Sequence, residues 1–147
     1  MEQKEMIDLL RQVASGTMDV EQAALKLKEE PFEDLGFAKI DHHRAMRQGV
    51  AEVIYGEGKT PEQIFRIAEA MKEKGQKAIL ITRMNKESAV YVGERLELQY
   101  DEVSRIGFIG ESPIKDGDGK IVVATGGTSD IPVAEEAART AETLGNE

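Results

Sequence analysis

The chain has 147 residues, a formal net charge of −9 and no cysteine, and 40% of its residues are hydrophobic but only 5% aromatic. These values predict one globular domain, or one domain with a fragment of a second, around an aliphatic core. The acidic balance argues against broad binding to nucleic acid or anionic membranes, and the lack of cysteine excludes a disulfide, a thiolate nucleophile and a cysteine metal site within these residues.

The chain begins with a predicted pair of amphipathic helices joined by a tight turn. Apolar residues recur at helical spacing over residues 6–13 and 20–27, with Gly16 between them. Asp19 is placed to cap the second helix and Gln22 to bond back to it. Such a hairpin cannot bury its faces alone, which predicts packing on the rest of the chain or on another subunit. Residues 1–11 lack the apolar core of a signal peptide and no apolar run is of membrane-spanning length, so a cytoplasmic protein is expected.

The middle of the chain alternates predicted strands and helices. The strands are predicted over residues 36–40 (with Phe37 and Ile40 facing inward), 52–55, 78–82, 96–100 and 106–109, and the helices over 41–47, 60–74 and 85–93. The 60–74 helix has the clearest boundaries, since Thr60 and Gln63 can form a capping box, Pro61 follows the cap and Gly75 ends the pattern. This alternation predicts a small α/β domain over residues 1–110 with at least part of its sheet parallel.

Residues 111–119 (ESPIKDGDG) are a predicted linker to a second segment over 120–147. In that segment, residues 121–124 have the pattern of a buried strand, and a helix follows near Pro132 with Ser129 or Asp130 as its cap. The far face of this helix is rich in alanine and would bury little area. A helix of this length is marginal in water on its own, so the segment needs a sheet that this sequence is not expected to contain. The segment is predicted to be the first β–α unit of a second, incomplete domain.

The first glycine loop, GEGKT over residues 56–60, follows a strand and precedes a helix, as a nucleotide-binding P-loop does. That motif needs a further glycine at the position of Val53, so a plain β–α turn is favoured. Lys59 is a candidate cation, and the more typical interpretation of it is a solvated turn lysine.

A basic stretch around residues 42–47 carries two further sets of candidates. His42 and His43 are adjacent and point in different directions, so they do not form a metal site, and surface or capping roles are favoured. Arg44 and Arg47 share one helix face, which could bind an anion or form salt bridges. No metal site is predicted.

The second glycine loop, over residues 126–130, does not match the dinucleotide-binding fingerprint because its glycines are adjacent. Its amides, with the hydroxyls of Thr128 and Ser129, could hold a phosphate or carboxylate. Asp130 would repel a phosphate and is better suited to a ribose hydroxyl or to proton transfer. A plain turn with a capping residue fits the same pattern equally well.

The sequence around this loop resembles a known family. TGGTSDIPVAEEAARTAETLGN resembles the first strand, loop and helix of the PurE-like domain in the LarB family of nickel-pincer cofactor biosynthesis proteins, and FAKIDHHRAMRQG and RQGVAEVIYGEGKTPEQI resemble that family's N-terminal domain. GGTSDIP is also similar to the GSxSDxP loop of aminoimidazole ribonucleotide (AIR) mutases and carboxylases. The expected fold is therefore α/β, with an N-terminal helical hairpin and a small mixed α/β sheet domain, followed by the first β–α unit of a truncated PurE-like (flavodoxin-like) domain.

The resemblance implies an activity in the synthesis of the cofactor for lactate racemization. The implied reaction carboxylates the pyridinium ring of nicotinic acid adenine dinucleotide with CO2 or bicarbonate and cleaves the phosphoanhydride to release AMP, with no covalently bound cofactor. Aligned with this sequence, the family's loop falls on Gly126, Gly127, Thr128, Ser129 and Asp130. We predict catalytic roles for Ser129 and Asp130, and ligand-binding roles for Gly126, Gly127, Thr128, Lys59 and Arg47.

The family's PurE-like domain continues for roughly another hundred residues, within ordinary domain size, and includes a cysteine nucleophile. The chain is therefore expected to be a fragment that is inactive alone. The alternative is a non-catalytic assembly or regulatory module, related to AIR carboxylase-like circadian modifiers. The expected partners are the small-molecule dinucleotide and further copies of the chain in a homo-oligomer, without nucleic acid or membrane.

Overall fold

The computed structural model describes residues 3–27, 32–41, 52–111, 115 and 119–147. The chain divides into two compact units, Met1–Glu52 and Val53–Glu147. The domain boundary predicted in residues 111–119 stays a prediction.

The described residues of the first unit form two helices and a two-stranded antiparallel hairpin. They are α1 (Gln3–Ala14), α2 (Val20–Leu27), β1 (Phe32–Asp34) and β2 (Lys39–Asp41). Gly16 turns the chain between the helices with φ 73°, and the Asp19 carboxylate accepts a 2.8 Å hydrogen bond from the amide of Gln22. Leu9 and Ala23 are buried. The predicted helical hairpin and its cap are confirmed.

The hairpin of strands corrects the single strand predicted over residues 36–40. Gly36, with φ 83°, lies in a turn closed by a 2.9 Å hydrogen bond from the Leu35 amide to the Ala38 carbonyl. Phe37 is therefore in the turn and exposed, whereas Ile40, in β2, is buried as expected. The helix predicted over 41–47, with its histidines and Arg47, lies outside the described residues.

The described residues of the second unit form a mixed four-stranded sheet with three α-helices. Its elements are β3 (Ile54–Tyr55), α3 (Pro61–Glu73), β4 (Ala78–Thr82), α4 (Lys86–Gly93), β5 (Leu98–Asp101), β6 (Ile106–Gly110) and α5 (Ile131–Thr143). The strand order is β3-β4-β6-β5, with β3 and β4 parallel and the other neighbours antiparallel. The α/β fold and the partly parallel sheet are confirmed. Among the described residues, no helix combines the length and apolarity needed to cross a bilayer.

Helix α3 follows the sequence prediction closely. The Thr60 hydroxyl accepts a 3.2 Å hydrogen bond from the Gln63 amide, and the Gln63 side chain accepts one of 3.0 Å from the Thr60 amide. This is the predicted capping box, and Gly75, with φ 85°, follows the end of the helix. The expected apolar stripe is buried, namely Ile64, Ile67, Ala68 and Met71.

The segment after residue 119 lacks the strand that the sequence predicts. Residues 121–125 are exposed and form no strand, so the strand predicted over 121–124 is wrong. A strand needs a ladder partner, and within the described part this stretch makes one backbone hydrogen bond, from Ile121 to the carbonyl of Glu147 at 2.7 Å.

Helix α5 does form, and it contacts β4 of the same chain, so the sequence supplies a sheet surface that was not expected. None of its residues is buried. Asp130 occupies the cap position, but its side chain makes no capping hydrogen bond, because a 3₁₀ turn over Thr128–Asp130 leads into the helix and leaves Asp130 in a helical conformation. The predicted capping role of Ser129 or Asp130 is therefore not fulfilled.

Candidate functional site

The loop over residues 126–130 lies at the N-terminus of α5, and all of its residues are exposed. The Asp130 amide donates to the Gly127 carbonyl at 3.1 Å, whereas the amides of Thr128 and Ser129 donate no hydrogen bond to any described residue. Free amides at a helix N-terminus, together with the positive end of the helix dipole, favour an anion. The loop can therefore accept a phosphate or a carboxylate on its backbone.

The two glycines of this loop are not required by the local backbone geometry. Gly127 has φ −143° and ψ 152°, which any residue adopts, and neither Gly126 nor Gly127 is among the described glycines with positive φ. A Cβ added at Gly126 would meet nothing within 4 Å. Glycine loses more conformational entropy on folding than other residues, so the two glycines cost stability here, and they leave the backbone open to close approach.

Ser129 and Asp130 converge on one point of the loop. A Cβ placed on Gly127 would lie 3.4 Å from Asp130 Oδ2 and 3.7 Å from Ser129 Oγ. The structure thus brings together three of the residues predicted from the sequence. The Asp130 carboxylate can accept a proton or a hydrogen bond from a ribose hydroxyl.

The other predicted loop, residues 56–60, has glycines with a structural purpose. Gly56 is buried, its amide donates to the Thr82 carbonyl at 2.7 Å, and an added Cβ would lie 2.9 Å from that same oxygen. Gly58 turns the chain with φ 77°. Gly56 is explained by the close approach of β3 to β4, and Gly58 is explained by the left-handed turn. Both agree with the plain β–α turn rather than with a P-loop.

Of the two predicted cations, Lys59 is described, and the structure does not join it to the 126–130 loop. Lys59 is half-buried, and within the described part of the chain it makes no hydrogen bond or ion pair with that loop. Arg47 lies outside the described residues. Their binding roles stay predictions.

A cluster that sequence reasoning missed lies where the parallel strands β3 and β4 end. The Tyr55 hydroxyl donates a 2.6 Å hydrogen bond to Glu57 Oε2, which lowers the pKa of Glu57 and raises the pKa of Tyr55. Arg83 Nε lies 3.0 Å from Glu136 Oε1 and 2.8 Å from Oε2, and this hydrogen bond raises the pKa of Arg83. Glu136 belongs to α5, so the cluster connects the sheet to the helix that follows the 126–130 loop.

Two arginines of this region have a left-handed backbone. Arg83 has φ 54° and Arg105 has φ 57°, which is uncommon for residues other than glycine. Arg105 Nη2 donates to the Arg83 carbonyl at 3.2 Å, and the Met84 amide donates to the Arg105 carbonyl at 2.8 Å. These bonds hold the turn after β4. Nothing in the residue types signals this conformation, because asparagine or glycine would be expected there.

Among the described residues, no group of three or more histidine, cysteine, aspartate or glutamate side chains is arranged to hold a metal ion.

Two comparisons with known proteins bear on the function. The LarB/PurE-like N-terminal domain matches residues 32–111. An uncharacterized protein of Methanocaldococcus jannaschii is 29% identical over 151 aligned residues, which cover 98% of this chain and 59% of that protein. The chain thus spans about 59% of the length of this relative. The alignment extends beyond the matched domain into the 126–130 loop.

Proposed function

The chain belongs to the LarB/PurE-like N-terminal domain family, and from this premise we propose that it is part of an enzyme that carboxylates the pyridinium ring of nicotinic acid adenine dinucleotide and cleaves its phosphoanhydride. Family membership supports a LarB-type or AIR carboxylase-like protein. The finer proposal rests on one observation. The loop at the start of α5 is exposed, its two glycines are not required by the backbone, and its Thr128 and Ser129 amides have no partner among the described residues.

The groups of the loop suit the parts of this substrate. The amides and hydroxyls of Thr128 and Ser129 would bind the diphosphate, and Gly126 and Gly127 would let it approach the backbone. Asp130 would accept either a ribose hydrogen bond or the proton that a ring carbon loses when it bonds to CO2. Lys59 would supply a cation for the phosphates.

The 147 residues contain no cysteine. A cysteine nucleophile of the kind that the resemblance implies would therefore have to come from outside them. We expect this chain to bind the dinucleotide without converting it, and turnover by the chain alone would contradict that expectation.

Binding is tested by thermal unfolding of the chain with and without nicotinic acid adenine dinucleotide. A ligand at about 100 times its Kd stabilises a protein by about 2.7 kcal/mol, so the unfolding temperature should rise measurably. Gly127→Val should abolish the rise without unfolding the protein, because the backbone at residue 127 accepts a β-branched residue whose methyl groups would fill the space beside Asp130.

A matched control is Gly119→Val, since a Cβ at that exposed glycine meets nothing within 4 Å and the residue lies outside the loop. This variant should keep the full rise. An unchanged unfolding temperature of the wild-type chain at saturating dinucleotide would sink the proposed site. Titration with AMP alone then shows whether the adenylate half is bound by itself.

A second candidate function, a non-catalytic assembly or regulatory module, is favoured by the surface of the first unit. Its helices expose four large apolar side chains, namely Ile7, Leu10, Val20 and Leu25. Unpaired apolar surface of this kind is typical of an interface. Light scattering tests this function directly. A homo-oligomer that Leu10→Lys dissociates would support it, and a monomer at all accessible concentrations would contradict it.

A further inference from the structure

Helix α5 is loosely packed for an element that carries a candidate site. None of its residues is buried. A groove of about 440 Å³, lined by Phe108, Arg139 and Thr143 among others, separates part of α5 from the sheet. A second groove of about 540 Å³, lined by Ile121, Ala137 and other residues, runs along the helix as well. Close apolar packing therefore does not fix the position of α5 on the sheet.

Within the described part of the chain, one hydrogen-bonded ion pair connects this helix to the residue that follows β4. Among the described residues, Arg83–Glu136 is the ion pair that joins α5 to another element, because the pairs of Arg139 are with Glu135 and Glu142 of the same helix. The Arg83 and Glu136 side chains are only 38% and 19% exposed. The Arg83 Nε–H is directed at the carboxylate and lies within 3.0 Å of both of its oxygens, which is the geometry of a charge-assisted hydrogen bond.

Hydrogen bonds from a neighbouring arginine stabilise the backbone around Arg83. Its left-handed conformation, φ 54°, is supported by the Arg105 guanidinium, which donates to the carbonyls of Arg83 and Met84 at 3.2 and 3.4 Å. An unusual backbone conformation that neighbouring groups stabilise is often associated with a functional role. The nearby carboxylate Glu57 is already hydrogen-bonded to the Tyr55 hydroxyl, so Glu136 is the carboxylate that binds Arg83 directly.

We propose that Arg83 is a positioning residue that, through Glu136, holds α5 and with it the 126–130 loop in the orientation required to bind the dinucleotide. This inference rests on the proposed function of the loop. Glu136 lies six residues after Asp130, about 9 Å along a helix that rises about 1.5 Å per residue. A contact at that distance limits the tilt of the helix, and hence the position of its N-terminal amides.

The experiment compares nicotinic acid adenine dinucleotide binding by calorimetry in the 147-residue chain and four variants. Arg83→Met keeps the length of the side chain and removes its charge, and it should weaken binding by about fivefold or more. Glu136→Met should weaken it similarly, and the double variant should be no weaker than either single one, because both remove the same interaction. Glu135→Met removes the neighbouring carboxylate of α5, whose ion pair is with Arg139 of the same helix, and its affinity should equal that of the wild-type chain.

Hydrogen exchange provides a readout that is independent of ligand. In Arg83→Met, protection should fall over α5 and stay unchanged over α3, because α3 has its own capping box and buried stripe. Dinucleotide affinity equal to that of the wild-type chain in Arg83→Met would overturn the inference and leave the proposed function intact. If the wild-type chain binds no dinucleotide, the proposed function fails, and unchanged protection of α5 in Arg83→Met would overturn the positioning role separately.

Discussion

The two glycine loops of this chain look alike in sequence and differ in the structure. Each contains two glycines and a hydroxyl residue, and each precedes a helix with proline at its start. In the 56–60 loop, the glycines permit a close backbone approach or a left-handed turn, and Thr60 completes a capping box. In the 126–130 loop, the glycines meet no such requirement and the cap is not formed.

The difference indicates which loop can accept a ligand. Backbone amides that already have partners are unavailable, whereas amides at an uncapped helix start must find water or a ligand. The 56–60 loop is completed by contacts of its own chain. The 126–130 loop leaves the amides of Thr128 and Ser129 without a partner among the described residues, so the loop with the more familiar motif is the less suitable binding site.

The largest expected effect that tests this comparison comes from adding one methyl group to each loop. Gly56→Ala should destabilise the protein by about 2 kcal/mol, because the new Cβ would lie 2.9 Å from the Thr82 carbonyl oxygen. Gly126→Ala should change the free energy of unfolding by less than about 0.5 kcal/mol or stabilise slightly, since its Cβ meets nothing. Urea unfolding followed by circular dichroism measures both. Equal losses of unfolding free energy in the two variants would show that the backbone at Gly56 is no more restricted than the backbone at Gly126.

A smaller effect is expected from removing each cap residue. Thr60→Ala should cost about 1 kcal/mol, because it removes the hydroxyl that accepts from the Gln63 amide. Asp130→Ala should cost less than about 0.5 kcal/mol, since its carboxylate makes no capping bond. Urea unfolding at neutral pH compares the two. A loss from Asp130→Ala as large as that from Thr60→Ala would indicate that the carboxylate caps α5 in solution.

The smallest expected effect is a pH dependence of folding stability that comes from Glu57 in the 56–60 loop. The hydrogen bond from Tyr55 lowers the pKa of Glu57 from its ordinary value of 4.5, so the folded state binds this proton less readily than the unfolded state. The stabilisation is present above pH 4.5 and is lost as the pH falls through the lowered pKa. Glu57→Gln should therefore reduce the loss of stability in acid. Acid unfolding curves of the variant and the wild-type chain that coincide would contradict this, and Glu62→Gln, on the neighbouring helix, is the matched control.

Local sequence chemistry was sufficient for the elements that are stabilised within a few residues. Helix α3 could be predicted almost to its ends, because Thr60, Gln63, Pro61 and Gly75 specify its boundaries through contacts within one turn. The central strand β4 was identified by its apolar run. The 126–130 loop was identified as a candidate by its residue types and by the resemblance, without any knowledge of its neighbours.

Other predictions failed where the outcome depends on distant partners. Residues 121–124 have the composition of a strand, but a strand exists only when another strand pairs with it, and composition does not supply that partner. Phe37 was expected to face the core, and the turn at Gly36 places it outside.

By itself, the sequence determined the type of fold, through the alternation of apolar strands and helices, and the well-capped helix α3, through contacts between near neighbours. It also identified the polar groups of the 126–130 loop by their residue types. Only the tertiary structure showed which glycines the backbone requires and which carboxylate Arg83 contacts. Gly56 is required because Thr82, twenty-six residues later, lies against it. Arg83 reaches Glu136 across fifty-three residues of sequence from a left-handed backbone. These are contacts between parts of the chain that meet only once the sheet has formed and α5 has packed against it.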